Sequence, residues 1–113
     1  MGNPAKQKGT AWETAIVRYL QGLGLDARRK ALAGAADEGD IDVSDWTLEA
    51  KNCRSLSLAA WVAEADAEAE NSGRPVAVVA KRVGKGDPGE GYVIMPLRRF
   101  VTAVLLSGSQ SDL

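Results

Sequence analysis

The sequence has no histidine and a single cysteine, Cys53, among its 113 residues. Without a second cysteine, the chain can form neither an internal disulfide nor a cysteine-rich zinc site. The absence of histidine excludes Ser-His-Asp and Cys-His nucleophile pairs and every histidine-dependent metal site within the chain. Any catalysis must therefore use carboxylates, lysines, hydroxyl groups or a hard metal ion.

Long apolar runs are also missing. The first ten residues are polar, which argues against a signal peptide, and no apolar run approaches the roughly 20 residues that span a bilayer. The chain is 45% apolar and 26% charged, a composition typical of a globular domain. We expect one domain over residues 10–106, with a flexible arm at residues 1–9 and a flexible tail at residues 107–113. We also expect a cytoplasmic location and no membrane partner.

The net charge of -1 conceals an uneven distribution of charge along the chain. Ten of the 15 acidic residues lie within residues 37–49 and 64–70, and the rest of the chain has five acids and all 14 bases, an excess of +9. Charge runs in short helices are usually solvated, so we interpret residues 64–70 as an exposed helix face. The crowded acids of residues 37–49 instead need a compensating cation or fixed positive charge.

Hydrophobic periodicity predicts the element order α-β-β-β-α-β-β-α. The apolar run at residues 76–80 predicts a strand that is buried on both faces and lies at the centre of the sheet. Together the elements predict a three-layer α/β or α+β domain with a mixed sheet. The predicted elements are a helix from Thr10 to the Gly22 and Gly24 pair, strands at 26–33, 41–43 and 47–51, a helix from Ser55 or Ser57 to Gly73, strands at 76–80 and 92–95, and a final helix with an apolar stripe formed by Leu97, Phe100, Val101, Val104 and Leu105.

Acidic and apolar residues alternate in two neighbouring predicted strands. Alternation places Asp40 and Asp42 on one face of their strand, and Glu49 and Lys51 on one face of the next. If a short turn pairs these strands with their apolar residues on the same side, the four polar side chains share a surface. Such oxygen ligands suit Mg²⁺ or Mn²⁺, and the lysine can hold the attacking water or offset phosphate charge. The pattern alone leaves open a solvated hairpin with an ordinary ion pair.

Five short motifs follow one another along residues 8–100. They are Trp12-Glu13 in the first helix, Gly39-Asp40-Ile41, Glu49-Ala50-Lys51-Asn52, Trp61 followed by Glu64 and Ala65, and Lys81-Arg82-Val83-Gly84-Lys85. In their order and spacing they resemble those of the PD-(D/E)xK nuclease superfamily. Within it, the chain is similar to the small Holliday junction resolvase-like nucleases of archaea and of phages of actinobacteria. Gly39 stands where the superfamily motif has a proline.

The resemblance implies a restriction-endonuclease-like α-β-β-β-α-β core and assigns roles to individual residues. Asp40, Glu49 and the main-chain carbonyl of Ala50 would hold Mg²⁺, with Mn²⁺ as the other candidate ion. Lys51 would position or activate the attacking water, and Glu13 would complete the acidic site from the first helix. Asp42 and Asp37 are auxiliary metal-ligand candidates.

The resemblance also implies a metal-dependent endodeoxyribonuclease that resolves four-way DNA junctions as a homodimer, in the host cytoplasm if a phage encodes it. Two sites are needed to cut both strands, which agrees with a dimer. Two basic clusters are predicted to contact DNA phosphates. Alternatives are a nuclease of the same fold that cuts flaps, nicked duplex or single-strand ends, and a non-catalytic DNA-binding module. The basic residues are Arg28, Arg29, Lys30, Lys81, Arg82 and Lys85.

Overall fold

The computed structural model describes residues 4–30 and 39–107, with side chains from residue 8 onward. The predicted element order and the mixed α/β architecture are confirmed. Asp37 and residues 108–113 of the predicted tail lie outside the described residues. The elements are α1 (Pro4–Gly22), β1 (Ala27–Arg29), β2 (Ile41–Val43), β3 (Trp46–Lys51), α2 (Leu58–Ser72), β4 (Val76–Ala80), a 3₁₀ turn (Pro88–Glu90), β5 (Tyr92–Ile94) and α3 (Leu97–Phe100), which continues as a π-helical segment (Val101–Leu105).

Helix α1 begins at Pro4, six residues before the predicted start at Thr10. Residues 4–9 of the predicted arm are thus helical. A proline at the first helical position is favourable, because its fixed φ suits a helix and its missing N–H would have no intrahelical partner there. The alanine, lysines and glutamine that follow are good helix formers, so the helix extends beyond the apolar periodicity that marked its start.

The sheet has the strand order β1-β2-β3-β4-β5, in which β3 and β4 are parallel and the other neighbours are antiparallel. All five residues of β4 are buried, as predicted from the continuous apolar run. The predicted central position of β4 is wrong, because β3 is the middle strand. Helix α2 connects β3 to β4, so that β4 can pair with β3 in the parallel direction. On the other edge of β3, the sheet continues through the antiparallel hairpin that β3 forms with β2.

Helix α1 covers one face of the sheet. Its side chains Trp12 and Ile16 are buried in a cluster with Ile41 and Val43 of β2. The indole Nε1 of Trp12 also donates a hydrogen bond to the carbonyl oxygen of Val79, at 3.1 Å. This contact ties the helix to β4 and fixes the position of α1 across the middle of the sheet.

Helix α2 covers the opposite face, so the domain has three layers. Trp61 and Ala65 of α2 are buried against Val76 and Val78 of β4. Gly73 ends the helix in a left-handed conformation, with φ of 74°, and its N–H donates to the carbonyl of Ala69 at 2.8 Å. None of the described helices is both long enough and apolar enough to span a membrane.

The final helix forms as predicted, but its apolar stripe is largely exposed. Arg98 and Arg99 attach it to α2 through the carboxylate of Asp66, with both nitrogen–oxygen distances at 2.9 Å. Burial raises the pKa of Asp66, but the hydrogen bonds and charges of the two arginines outweigh burial and hold it below its usual value. Ion pairs therefore hold this helix more than apolar packing does. The exposed apolar residues are Leu97, Phe100, Val104, Leu105 and Leu106.

Candidate functional site

Asp40 directly precedes β2 and is fixed to the main chain of β3. Its N–H donates to the carbonyl of Leu48 at 3.1 Å, and its own carbonyl accepts from the N–H of Lys30 at 2.8 Å. Oδ2 of Asp40 accepts a hydrogen bond from the N–H of Ala50 at 2.9 Å. These bonds place the Asp40 carboxylate beside the main chain between Glu49 and Lys51.

The main-chain carbonyl of Ala50 faces the side of β3 on which Asp40 lies. Along β3 the hydrogen-bonding groups alternate in direction: Leu48 O accepts from Asp40 on the β2 side, and Lys51 O accepts from Lys81 on the β4 side, at 2.9 Å. The N–H and C=O of one strand residue point to the same side. Because the N–H of Ala50 meets Asp40, its carbonyl points to that side too, as a shared metal ligand would require.

Glu49 points from β3 into the layer of α2 and is only 6% exposed. Burial is the main cause that raises its pKa from 4.5 to about 10, followed by the charge of Asp40, a side-chain hydrogen bond with Glu68 and the charges of Glu68 and Glu64. Oε2 of Glu49 is buried and accepts no hydrogen bond from a donor among the described residues. The site therefore holds a buried carboxylate oxygen that only a proton or a cation can satisfy.

Lys51 lies on the same face and provides a positive charge beside these acids. Its Nζ is 2.7 Å from Oε1 of Glu64 and 3.7 Å from Oε1 of Glu49. Burial lowers the pKa of Lys51, but the hydrogen bond to Glu64 and the charges of Glu49, Glu64 and Asp40 outweigh burial and raise it above its usual value. The side chain is therefore an ammonium at neutral pH, suited to hold a water or offset phosphate charge.

Helix α2 supplies two carboxylates that the sequence interpretation assigned to a solvated face. Glu68 is 1% exposed, and one oxygen each of Glu49, Glu64 and Glu68 lie within 4.8 Å of one another. The interpretation is therefore wrong for Glu68, whereas the Glu64 side chain is 40% exposed and pairs with Lys51. Glu64 and Glu68 stand three and seven residues after the buried Trp61, but the alanines around them give a weak apolar stripe, so the sequence does not mark this face as the one that turns inward.

Asp42, the competing aspartate of the sequence pattern, is engaged elsewhere. Its Oδ1 accepts from Oγ1 of Thr47 at 3.3 Å and lies 3.4 Å from Nζ of Lys30 and 3.6 Å from a guanidinium nitrogen of Arg74. Arg74 also donates to the carbonyls of Ser44 and Trp46, so it closes the turn between β2 and β3. These contacts favour Asp40 over Asp42 as the aspartate beside Glu49.

Glu13 lies on α1, which covers the opposite face of the sheet from Glu49. Its Oε1 accepts a hydrogen bond from Nε of Arg29 on β1, at 3.1 Å. The acids whose charges raise the pKa of Glu49 are Asp40, Glu68 and Glu64, and Glu13 is not one of them. Its predicted role as the fourth acid of the site therefore stays a prediction.

Gly39 allows Asp40 to approach α2 and β3 closely. Its φ is +103°, a conformation that side chains rarely adopt. A Cβ built on Gly39 would overlap Cγ2 of the buried Thr47 and lie 3.4 Å from Oε1 of Glu68. The local structure therefore requires a glycine at position 39.

The predicted phosphate-binding residues lie on β1 and on the segment between β4 and β5. Arg28 and Lys85 are exposed and Lys81 is half-buried, and none of the three forms an ion pair with another described residue. Other members of these clusters have acidic partners: Arg29 contacts Glu13, Lys30 contacts Asp42, and Arg82 contacts Glu90 at 3.1 Å and lies over the ring of Tyr92.

Comparisons with known proteins do not add a relative to this description. No family, curated protein or solved structure matches the chain. The resemblance to PD-(D/E)xK nucleases therefore stays a prediction from the motifs. Asp40, Glu49 and Lys51 remain the residues whose arrangement bears on function.

Proposed function

We propose that this protein is a metal-dependent, structure-selective endodeoxyribonuclease that resolves four-way DNA junctions. One observation carries the proposal: the hydrogen bond from Ala50 to Asp40 joins two adjacent strands so that Asp40 lies beside Glu49 and Lys51. Two carboxylates and a lysine in this relation provide an oxygen-rich cation site and a fixed positive charge next to it. Phosphodiester hydrolysis uses both.

The donor set fits a hard divalent ion. Oε2 of Glu49 is buried without a hydrogen-bond donor among the described residues, which is the environment that a cation would satisfy. Asp40, Glu49 and the carbonyl of Ala50 would hold Mg²⁺ or Mn²⁺, which when bound supplies Lewis-acid chemistry to the phosphate and the attacking water. All of these donors are oxygens, the ligands that both ions prefer.

Other side chains of the protein would orient the attacking water, stabilise the developing charge and bind the DNA. The ammonium of Lys51 would orient the attacking water and offset the negative charge that develops on the phosphate. Exposed Arg28 and Lys85 would bind the DNA backbone, which positions the scissile bond without reading its sequence. A homodimer would supply the second site that paired cuts across a junction need.

The test is cleavage of labelled DNA with Mg²⁺, with Mn²⁺ and with EDTA, on a four-way junction, a flap, a nicked duplex, a single-strand end and a linear duplex. We expect symmetric, metal-dependent nicks in the junction and a dimer by sedimentation. If the protein cuts flaps, nicked duplex or single-strand ends but not the junction, one of these DNAs is the substrate. If the folded protein cuts none of them, it is not a nuclease, and a DNA-binding module is the better proposal.

Two variants test whether Asp40 and Lys51 are needed for DNA cleavage. Asp40→Asn keeps an oxygen acceptor for the Ala50 N–H, and Lys51→Ala removes the ammonium. We expect each to lower the cleavage rate by about 100-fold or more. Glu70→Gln, which removes an exposed carboxylate from α2, is the matched control and should cut at the wild-type rate. Wild-type rates in Asp40→Asn and Lys51→Ala would reject this site.

A further inference from the structure

The final helix, residues 97–107, turns its arginines towards the domain and its large apolar side chains away from it. We propose that its apolar face is the surface through which two copies of this chain form a dimer. The inference rests on the proposed function, because it locates the contact of the homodimer that paired cuts across a junction need. The apolar face consists of Leu97, Phe100, Val104, Leu105 and Leu106.

The orientation of this helix is the reverse of the usual one. A helix on the surface of a domain normally packs its apolar stripe against the core and exposes its polar side chains. Here the side chain of Arg99 is only 13% exposed, pairs with Asp66 and donates to the carbonyl of Val76. Leu97 is 75% exposed. The described part of one chain therefore leaves the stripe in water, and a partner that covers it would gain the free energy of its burial.

The area of the apolar face fits an interface between two copies. At roughly 200 Å² for a fully exposed large apolar side chain, the exposed fractions of its five residues correspond to about 500 Å². A patch of about 500 Å² is among the largest that monomeric proteins leave in water, and such patches are often binding sites. Two copies that meet through this face would bury about 1,000 Å² from these side chains alone, which is the area at which specific interfaces begin.

The charge of the final helix favours a second copy as the partner. Residues 95–107 contain no acidic residue, and their two bases, Arg98 and Arg99, are both paired with Asp66 of the same chain. Two copies can therefore approach through this helix without the repulsion between their basic surfaces. The face is also entirely apolar, and homodimer interfaces are more apolar than interfaces between different proteins.

The spacing of the apolar residues allows the face to pack against itself. Leu97, Phe100 and Val104 follow one another at intervals of three and four residues, the spacing of the seam between two packed helices. A twofold axis through this seam would place the same residues of both copies in one interface. Such a contact closes after two copies, as a dimer requires.

The position of the helix keeps the contact away from the nuclease centre. Arg99 contacts the carbonyl of Val76, the first residue of β4, whereas Lys51 pairs with Ala80, the last residue of this strand. At about 3.3 Å per residue, these ends of β4 are roughly 13 Å apart. A dimer formed through the final helix therefore contacts the end of the sheet opposite to Lys51.

The experiment is analytical ultracentrifugation without DNA, from about 1 µM to about 100 µM, on wild type, Leu97→Glu, Val104→Glu and Leu23→Glu. We expect wild type and Leu23→Glu to dimerise alike. Leu97→Glu and Val104→Glu should each raise the dissociation constant of the dimer at least about 30-fold, because each buries an unpaired carboxylate in the contact. Leu23 is 64% exposed and follows α1, so it controls for a carboxylate in place of an exposed leucine.

Two further measurements separate loss of the dimer from loss of the fold. Circular dichroism at the lowest concentration should show the same helix content in all four proteins, since the replaced side chains are exposed. In wild type, dilution should speed hydrogen exchange in residues 97–107 and leave that of β4 unchanged. A monomeric wild type at every concentration, or a dimer that neither Leu97→Glu nor Val104→Glu weakens, would overturn the inference.

The same proteins distinguish failure of this interface from failure of the proposed function. A dimer that Leu97→Glu and Val104→Glu disrupt, in a protein that cuts no DNA, would support the interface and reject the nuclease. Symmetric junction cleavage by a dimer that both variants leave intact would reject the interface and keep the nuclease. If both proposals hold, wild type should linearise a supercoiled plasmid that extrudes a four-way junction, and Leu97→Glu should mainly nick it.

Discussion

Glu49 carries a carboxyl group that folding removes almost completely from water. Its neighbours are mainly acids, and burial together with their charges raises its pKa to about 10. The alternation of β3 predicted which face Glu49 would share with Lys51. It did not predict the burial, because burial depends on α2, whose sequence position alone does not say which of its carboxylates turns inward.

A pH dependence of stability follows in metal-free solution. Between pH 4.5 and about 10 the folded protein retains a proton on Glu49 that the unfolded chain releases, so the free energy of unfolding should fall as pH rises through this range. One such proton contributes at most about 1.4 kcal/mol per pH unit. Urea denaturation in EDTA at several pH values measures the slope.

Glu49→Gln is the variant that isolates this effect, and Glu70→Gln is its control. The wild-type free energy should fall more steeply with pH than that of Glu49→Gln, while Glu70→Gln should follow the wild type. Equal slopes in wild type and Glu49→Gln would show that the proton is not held at Glu49.

Gly39 is a second residue on which the site depends, because only a glycine fits its backbone conformation and its close approach to Thr47. Gly39→Ala should lower the free energy of unfolding by about 2 kcal/mol or more, because it adds backbone strain at φ of +103° and a clash with Thr47. Gly24→Ala is the matched control: its φ is +88°, but its Cβ would meet open space, so we expect a loss of about 1 kcal/mol. Equal losses in urea denaturation would contradict the close approach.

Among the elements, β4 and α2 differ in how far their sequences determined them. The run of five small and β-branched apolar residues predicted β4 and its burial, since a strand with two apolar faces can only lie inside a layered domain. The α2 sequence predicted the helix and its end at Gly73. It left the role of Glu64 and Glu68 undecided, because alanines around them give a weak apolar stripe that does not mark the buried face.

The final helix depends on ion pairs, and its two arginines should contribute unequally. Both contact Asp66, but the Arg99 side chain is 13% exposed and that of Arg98 is 68% exposed. Arg99 also donates to the carbonyl of Val76, at 3.4 Å. Arg99→Ala should therefore cost about 1 kcal/mol of stability and Arg98→Ala less than about 0.5 kcal/mol.

Hydrogen exchange checks the location of this effect. Arg99→Ala should lower the protection of amides in residues 97–107 and leave those of β4 close to wild type. Equal protection in the two variants would show that the helix is held by other contacts.

At the scale of the whole molecule, the near-zero net charge separates into an acidic site and a basic remainder. If the exposed bases meet DNA phosphates, binding must weaken as salt rises. Arg28→Gln and Lys85→Gln should each reduce the slope of log affinity against log salt by about one, measured on a four-way junction in EDTA. Arg98→Gln, whose arginine is ion-paired with Asp66, should leave the slope unchanged.

A different result would relocate the DNA-binding surface. If Arg98→Gln reduced the slope and the other two variants did not, the face that carries the final helix would be the DNA contact. If no variant changed the slope, these arginines and the lysine would have no phosphate contact.

The order of helices and strands, the burial of β4 and the shared face of Glu49 and Lys51 can be predicted from the amino-acid sequence alone. Each of these features follows from the pattern of apolar and polar residues within a single helix or strand. The contacts of Asp42 with Lys30 and Arg74, and of Glu64 and Glu68 with Glu49, are visible only in the folded protein. Those contacts join residues from different elements, so they depend on strand register and on how α2 lies across the sheet.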